Sequence, residues 1–254
     1  MNIDINCDMG ESFGVYKLGS DEEMMRHITS ANIACGYHGG DPIVMDKTVK
    51  LAIQNGVGIG SHPGFPDLMG FGRRPISASP EEIEEYVLYQ TGALYAFAKA
   101  NGSELRHVKA HGALGNMAFV DLEVARAVAR GASRFSKDLI LIALANSPLV
   151  QAGQEYGLKV ALEAYPERAY NTDGTLVSRK LPNSSIHDPK VAVERALRMV
   201  TEGTVVAYDG QLIKMKADTL CIHGDNPVAP SIAAAVSEAL KSAGVQIKPM
   251  AEFL

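Results

Sequence analysis

IDINCD, residues 3–8, alternates between apolar and polar side chains without a break. Successive side chains of a β-strand point to opposite faces, so Ile3, Ile5 and Cys7 share one face and Asp4, Asn6 and Asp8 the other. The same parity recurs along the chain. In GVGIGSH, residues 56–62, Gly58, Gly60 and His62 align against Val57 and Ile59, and in HVKAH, residues 107–111, His107, Lys109 and His111 align. Thr219, Cys221 and His223 oppose Leu220 and Ile222. One face is apolar and calls for a cover of helices; the other is polar or small.

Seven runs suit strands: Ile3–Cys7, Ala31–Cys35, Val57–Ser61, His107–Ala110, Leu139–Ala143, Lys159–Glu163 and Thr219–Ile222. Helices alternate with them. Several helix starts pair a capping residue with proline at the first helical position: Asp41-Pro42, Ser79-Pro80, Ser147-Pro148 and Asp188-Pro189. Ser79 with Glu82, and Ser20 with Glu23, have the spacing of a capping box. Gly56, Gly102, Gly157, Gly203 and Gly244 are placed to close helices in the left-handed conformation.

Every one of these strands ends in polar groups: Asn6 and Asp8, His38, His62, Lys109 and His111, Asn146, Glu163, then His223 and Asp225. An open doubly wound sheet binds its ligand at one switch point and needs such groups at two or three strand ends. A closed barrel brings all the carboxyl ends to one mouth. The even spread predicts an α/β fold, a seven-stranded (β/α) barrel forming one domain over residues 1–254. TVVAYDGQLIKMK, residues 204–216, reads as a β-hairpin excursion before the last strand, turning on Asp209-Gly210 as a two-residue loop.

The formal charge of −5 gives no basis for binding a nucleic-acid backbone. Asp4 precedes any signal-like apolar stretch, and no segment suits a bilayer, so a cytoplasmic protein with no membrane association is expected. Cys7, Cys35 and Cys221 are scattered, without a CxxC pair, and read as reduced thiols. Parity turns Cys7 toward the helices and Cys221 inward, and Cys35 reads as a packing residue.

Lys109 between two inward histidines suits stabilisation of a developing oxyanion, and imidazoles suit proton transfer near neutral pH. Asp8, His38, His62, Lys109 and His111 are therefore the candidate catalytic residues. Arg73 and Arg74 could fork onto a carboxylate or phosphate. Asn6, Asn32, Glu163, His223 and Asp225 join them as candidate substrate- or phosphate-binding residues. Asp8, His38, His62 and Asp225 also offer metal-ligand chemistry, but no HExxH pairing is present and no metal ligand is assigned. No GxxxxGK[ST] or GxGxxG motif occurs.

Six motifs in order, INCDMGESFG, ITSANIACGYHGGDP, IGSHPGFPDLMGFGRRP, HVKAHGALGNMA, YNTDGTLVSRKLP and ADTLCIHGDNP, resemble the LamB/YcsF family over about residues 3–247. Ala110, Gly115 and Asn146-Ser147 depart from that family's commoner proline, tyrosine and glycine-serine. The resemblance implies a barrel related in shape to polysaccharide deacetylases. It also implies ATP-dependent hydrolysis of 5-oxo-L-proline to L-glutamate, with ATP as co-substrate, a divalent ion entering as Mg-ATP, and 5-oxoprolinase B and C subunits as partners. The alternatives are a metal-dependent hydrolase or deacetylase working without ATP, and a non-catalytic substrate-binding subunit.

Overall fold

The computed structural model describes residues 1–222 and 228–254. β1 runs over Asn2–Met9, α1 is one turn over Asp21–Met24, and β2 (Ser30–Ala34), α2 (Pro42–Gln54) and β3 (Gly58–His62) follow. The chain continues through α3 (Pro80–Ala100), β4 (Leu105–Val108), α4 (Gly112–Ala118), α5 (Leu122–Phe135), β5 (Ile140–Leu144), α6 (Pro148–Glu155) and β6 (Lys159–Ala164). After α7 (Pro189–Leu197) come β7 (Thr204–Val206), β8 (Leu212–Lys214), β9 (Thr219–Cys221), α8 (Ala229–Ser242) and β10 (Gln246–Ile247).

β1 to β6 pair in sequence order, all parallel; β9 pairs with β6 and returns to β1 through Asp4↔Thr219 and Asn6↔Cys221. The seven expected strands thus close a barrel, each with its ends shifted by no more than two residues. β10 is not among the expected strands. It pairs with Asn2 and Ile3, the start of β1 that the short β9 does not reach, and two residues carry no readable alternation.

The helix starts follow the capping chemistry. Asp41 accepts from the backbone N–H groups of Ile43 and Val44, Asp188 from that of Lys190, and Ser79 and Glu82 form a reciprocal capping box. Two expected caps differ. Ser147 makes no side-chain capping bond, and the Ser20–Glu23 box does not form at α1, a helix of only four residues. The five closing glycines all take positive φ, between 64° and 78°. The hairpin is present, but its turn is longer than expected: the Ala207 N–H donates to the Gln211 carbonyl, leaving Tyr208-Asp209-Gly210 as a three-residue loop. Gly210 sits at φ 90°, the left-handed third position such loops use.

The apolar core lies between sheet and helices, where Ile3, Ile5, Cys7, Ile33 and Ile59 are buried. Each such aliphatic side chain contributes about 1.5–3 kcal/mol by leaving water. The barrel interior is instead a column of hydrogen-bonded polar side chains, and smallness there is a steric demand: a Cβ on Gly60 would lie 2.1 Å from the ring of His107. No helix among the described residues is long and apolar enough to cross a membrane.

Candidate active site at the barrel mouth

The column begins at the floor with Asp4, whose carboxylate accepts from Thr29 Oγ1 at 2.7 Å, Ser30 Oγ at 2.6 Å, the Met250 N–H at 3.3 Å and the Thr219 hydroxyl. Burial pushes its pKa up to about 6 in spite of those donors. One layer higher, Asn6 Nδ2 donates to Thr219 Oγ1 at 2.8 Å, and Asn32 Nδ2 donates to Asn6 Oδ1 and Asp8 Oδ1, each at 2.8 Å. His107 Nε2 donates to Asn32 Oδ1 at 2.9 Å, and burial drives the pKa of this histidine down to about 3.

Lys109 caps this layer. Its Nζ lies 3.2 Å from Asn6 Oδ1, 3.0 Å from Asp8 Oδ1, 3.1 Å from Cys221 Sγ and 2.8 Å from Glu163 Oε1. The contact with Glu163 is an ion pair rather than a well-directed hydrogen bond. Burial alone would lower the lysine pKa, but the surrounding groups, Asp8 foremost, outweigh it and hold the pKa well above the usual lysine value. Burial also pushes the Cys221 thiol well up, so Cys221 is a neutral neighbour and the carboxylates hold the charge. The result is a fixed cation inside the barrel.

Above Lys109 the β2, β3 and β4 loops bring three histidines together. His62 Nδ1 donates to the Lys109 carbonyl at 2.8 Å, and its Nε2 faces His111 Nδ1 at 2.9 Å and Asp8 Oδ2 at 3.4 Å. His111 Nε2 donates to the Phe71 carbonyl at 2.8 Å, and its ring stacks on that of His38 with centroids 3.6 Å apart. Glu11 Oε1 reaches His38 Nε2 at 3.2 Å and His111 Nδ1 at 3.4 Å. Burial is the main cause holding His38 well below, and His111 at about 3 against, the usual imidazole value, so both rings are neutral near pH 7. The glycines are again steric: a Cβ on Gly72 would lie 2.7 Å from His38 Cβ, and one on Gly39 2.8 Å from the Glu11 carbonyl oxygen.

A cavity of about 540 Å³ opens over this cluster, with Asp8, His62, Lys109 and His111 on its wall. The five expected catalytic residues therefore gather in one place, although His38 stands behind His111 rather than on the cavity surface. The expected binding residues divide. Arg73 lines the cavity, whereas Arg74 is bound to Asp67 and turned away from it. Asn6, Asn32 and Glu163 are fully buried beneath Lys109 and position it instead of meeting a ligand. Glu163 also accepts from the Tyr165 hydroxyl. His223 and Asp225 lie outside the described residues.

Two contributions escaped sequence reasoning. Glu11 follows Gly10, whose φ of 66° ends the strand alternation that parity relies on. Arg168, Arg179 and Lys180 add positive charge to the far wall of the cavity from the irregular segment after β6. Asn146 stands at φ 63°, a conformation that explains why glycine is the commoner choice there.

Seven parallel strands closed around a polar column, with chemically competent side chains gathered at one mouth, define a (β/α) barrel of the enzyme type. The chain belongs to the LamB/YcsF family, whose model matches residues 3–254. It is 54% identical over 254 residues to the 5-oxoprolinase A subunit of Pyrococcus horikoshii, covering 100% of both chains. The crystal structure of a lactam utilization protein from Thermus thermophilus matches with a TM-score of 0.94 at 50% identity, covering 98% of this chain and 99% of that one. A peptidoglycan N-acetylglucosamine deacetylase matches with a TM-score of 0.50 at 9% identity, covering 100% of this chain and 87% of its own, a likeness of fold alone.

Proposed function

We propose that this chain opens the ring of 5-oxo-L-proline to give L-glutamate, as the A subunit of an ATP-coupled 5-oxoprolinase working with B and C subunits in the cytoplasm. The observation that carries this reading is Lys109, held cationic by Asp8 and Glu163 at the wall of a cavity that also presents Arg73, Arg168, Arg179 and Lys180. Such a wall suits the carboxylate of the substrate and the phosphates of Mg-ATP. The names of the relatives point the same way.

A lactam amide is a poor electrophile, and ATP would supply the drive by phosphorylating its carbonyl oxygen. Water then adds to the ring carbon, the ring nitrogen leaves with a proton, and the acyl phosphate left behind is hydrolysed to L-glutamate and phosphate. The chain's own contribution is to place charge. Three ammonium protons of Lys109 already face four acceptors, so an incoming oxyanion competes for one of them, and Asp8, on the cavity wall, is the one it can reach. Loss of that contact releases the Asp8 carboxylate to draw a proton from water. Lys109 stabilises the charge that develops on the carbonyl oxygen.

The test is 5-oxoproline-dependent ADP release by the three reconstituted subunits. Lys109→Met is expected to lower the rate by on the order of 10²–10³, as loss of one oxyanion-stabilising donor does. Asp8→Asn is expected to lower it by about 10²–10⁴. A folded Lys109→Met chain with undiminished coupled activity overturns the reading.

A further inference from the structure

His62 and His111 meet nitrogen to nitrogen at 2.9 Å. A carbonyl can only accept, so the bonds to Lys109 O and Phe71 O place the protons on His62 Nδ1 and His111 Nε2. The two remaining ring nitrogens, His62 Nε2 and His111 Nδ1, then face each other across the gap. Glu11 Oε1 and Asp8 Oδ2 border it, each 3.4 Å from one of the two nitrogens. A cation in the gap would meet both ring nitrogens and the bordering carboxylate oxygens.

We propose that Glu11, His38, His62 and His111 form a site for one divalent transition-metal ion of the zinc class. One ligand atom from each lies within 4.8 Å of all the others. Three of the separations, 2.9, 3.2 and 3.4 Å, are close to the ~3.3 Å edge of a tetrahedron with metal–ligand bonds of about 2.0–2.1 Å. The carbonyls behind His62 and His111 are the outer acceptors that orient a ligating imidazole and expose its other nitrogen. Three nitrogens and one carboxylate suit zinc, cobalt or nickel and not magnesium or calcium, which prefer oxygen throughout. The four ligands come from four separate segments, which is why no local motif announces them. The site stands independently of the 5-oxoproline reading, because metal binding is measured without substrate.

The intact chain is stripped with a chelator and titrated with Zn(II) against a chromogenic competitor, and with Co(II) followed by its visible d–d bands. One ion per chain and a four-coordinate cobalt spectrum are expected. Glu11→Gln and His111→Gln should each weaken zinc binding by more than the ~10–100-fold that loss of an outer partner costs. Should either variant fail to fold, side-chain nitrogen NMR of the unaltered protein reads the same point, zinc shifting His62 Nε2 and His111 Nδ1 together. The proposal is overturned if the unaltered chain binds no stoichiometric zinc, if folded variants keep its affinity, or if one proton is shared between His62 and His111 under saturating zinc.

Discussion

The floor and the mouth of this barrel are built from the same kinds of side chain and do opposite things with them. At the floor Asp4 is met by four donors, and Thr219, Asn6 and Asn32 hand hydrogen bonds up the column so that donors and acceptors match. At the mouth the matching fails. His62 Nε2 and His111 Nδ1 meet nitrogen to nitrogen while their other ring nitrogens are committed to carbonyls. A buried ring nitrogen without a hydrogen-bond partner among the described residues occurs both at the mouth, at His38 Nδ1, and in the column, at His107 Nδ1. A matched buried network stabilises and specifies the fold, whereas a mismatched one asks for a ligand. Burial of polar groups alone would not tell the two apart.

The largest effect that would break this contrast is expected just below Lys109. Gly60→Ala places a methyl 2.1 Å from the His107 ring, inside a closed barrel where neither strand can retreat. Overpacking of this kind costs about 1–3 kcal/mol and sometimes more. We expect the upper end, read from urea unfolding, with the double variant Gly60→Ala, His107→Ala recovering part of the loss as the two sites share one space. If the single variant unfolds like the unaltered protein, the inner column is not tightly packed and its rigidity cannot be what distinguishes it from the mouth.

Which of these features could be read in the sequence follows from how local each one is. Alternation in IDINCD and HVKAH places Asp4, Asn6, Asp8, Lys109 and His111 inside the barrel, because parity is a property of single strands. The gathering of His38, His62 and His111 follows from strand ends sharing a mouth. Pairing between strands is not local, so Glu163 reads as a binding residue when it is the buried counter-ion of Lys109. Glu11 is hidden by the left-handed turn at Gly10, and Arg168, Arg179 and Lys180 by a segment with no period to interpret. The turn of the hairpin shows the same limit: Asp209-Gly210 suits a two-residue loop as well as the three-residue one it joins.

A smaller effect sharpens the account of the floor. The Asp4 pKa is raised from 3.8 to about 6 by burial, so as pH rises through this window the unfolded chain releases its proton first and the native chain retains it. The contribution of Asp4 to stability is therefore complete below about pH 4 and lost as pH rises through 6, by on the order of 3 kcal/mol. Asp4→Asn should unfold with a shallower pH dependence between about pH 4 and 7, measured by urea titration at several pH values. Identical pH dependence in the two chains would mean that the four donors already hold Asp4 ionised throughout.

The smallest expected effects come from the rim, where two adjacent arginines test whether the cavity or mere surface charge matters. Arg73 lines the cavity, with its guanidinium carbon 5.1 Å from the Phe71 ring centroid, whereas Arg74 is committed to Asp67. Hydrogen bonding to Arg74 in turn holds the Asp67 carboxyl below its ordinary value. If the cavity binds an anionic substrate, Arg73→Ala removes a charge-assisted contact and should raise KM on the order of 10-fold, with kcat little changed. Arg74→Ala should leave KM alone and lower only the thermal midpoint of unfolding, slightly, since an exposed guanidinium is screened by water. The two substitutions remove the same charge a residue apart, so equal effects on KM would trace substrate attraction to the net field of the rim instead of to contact within the cavity.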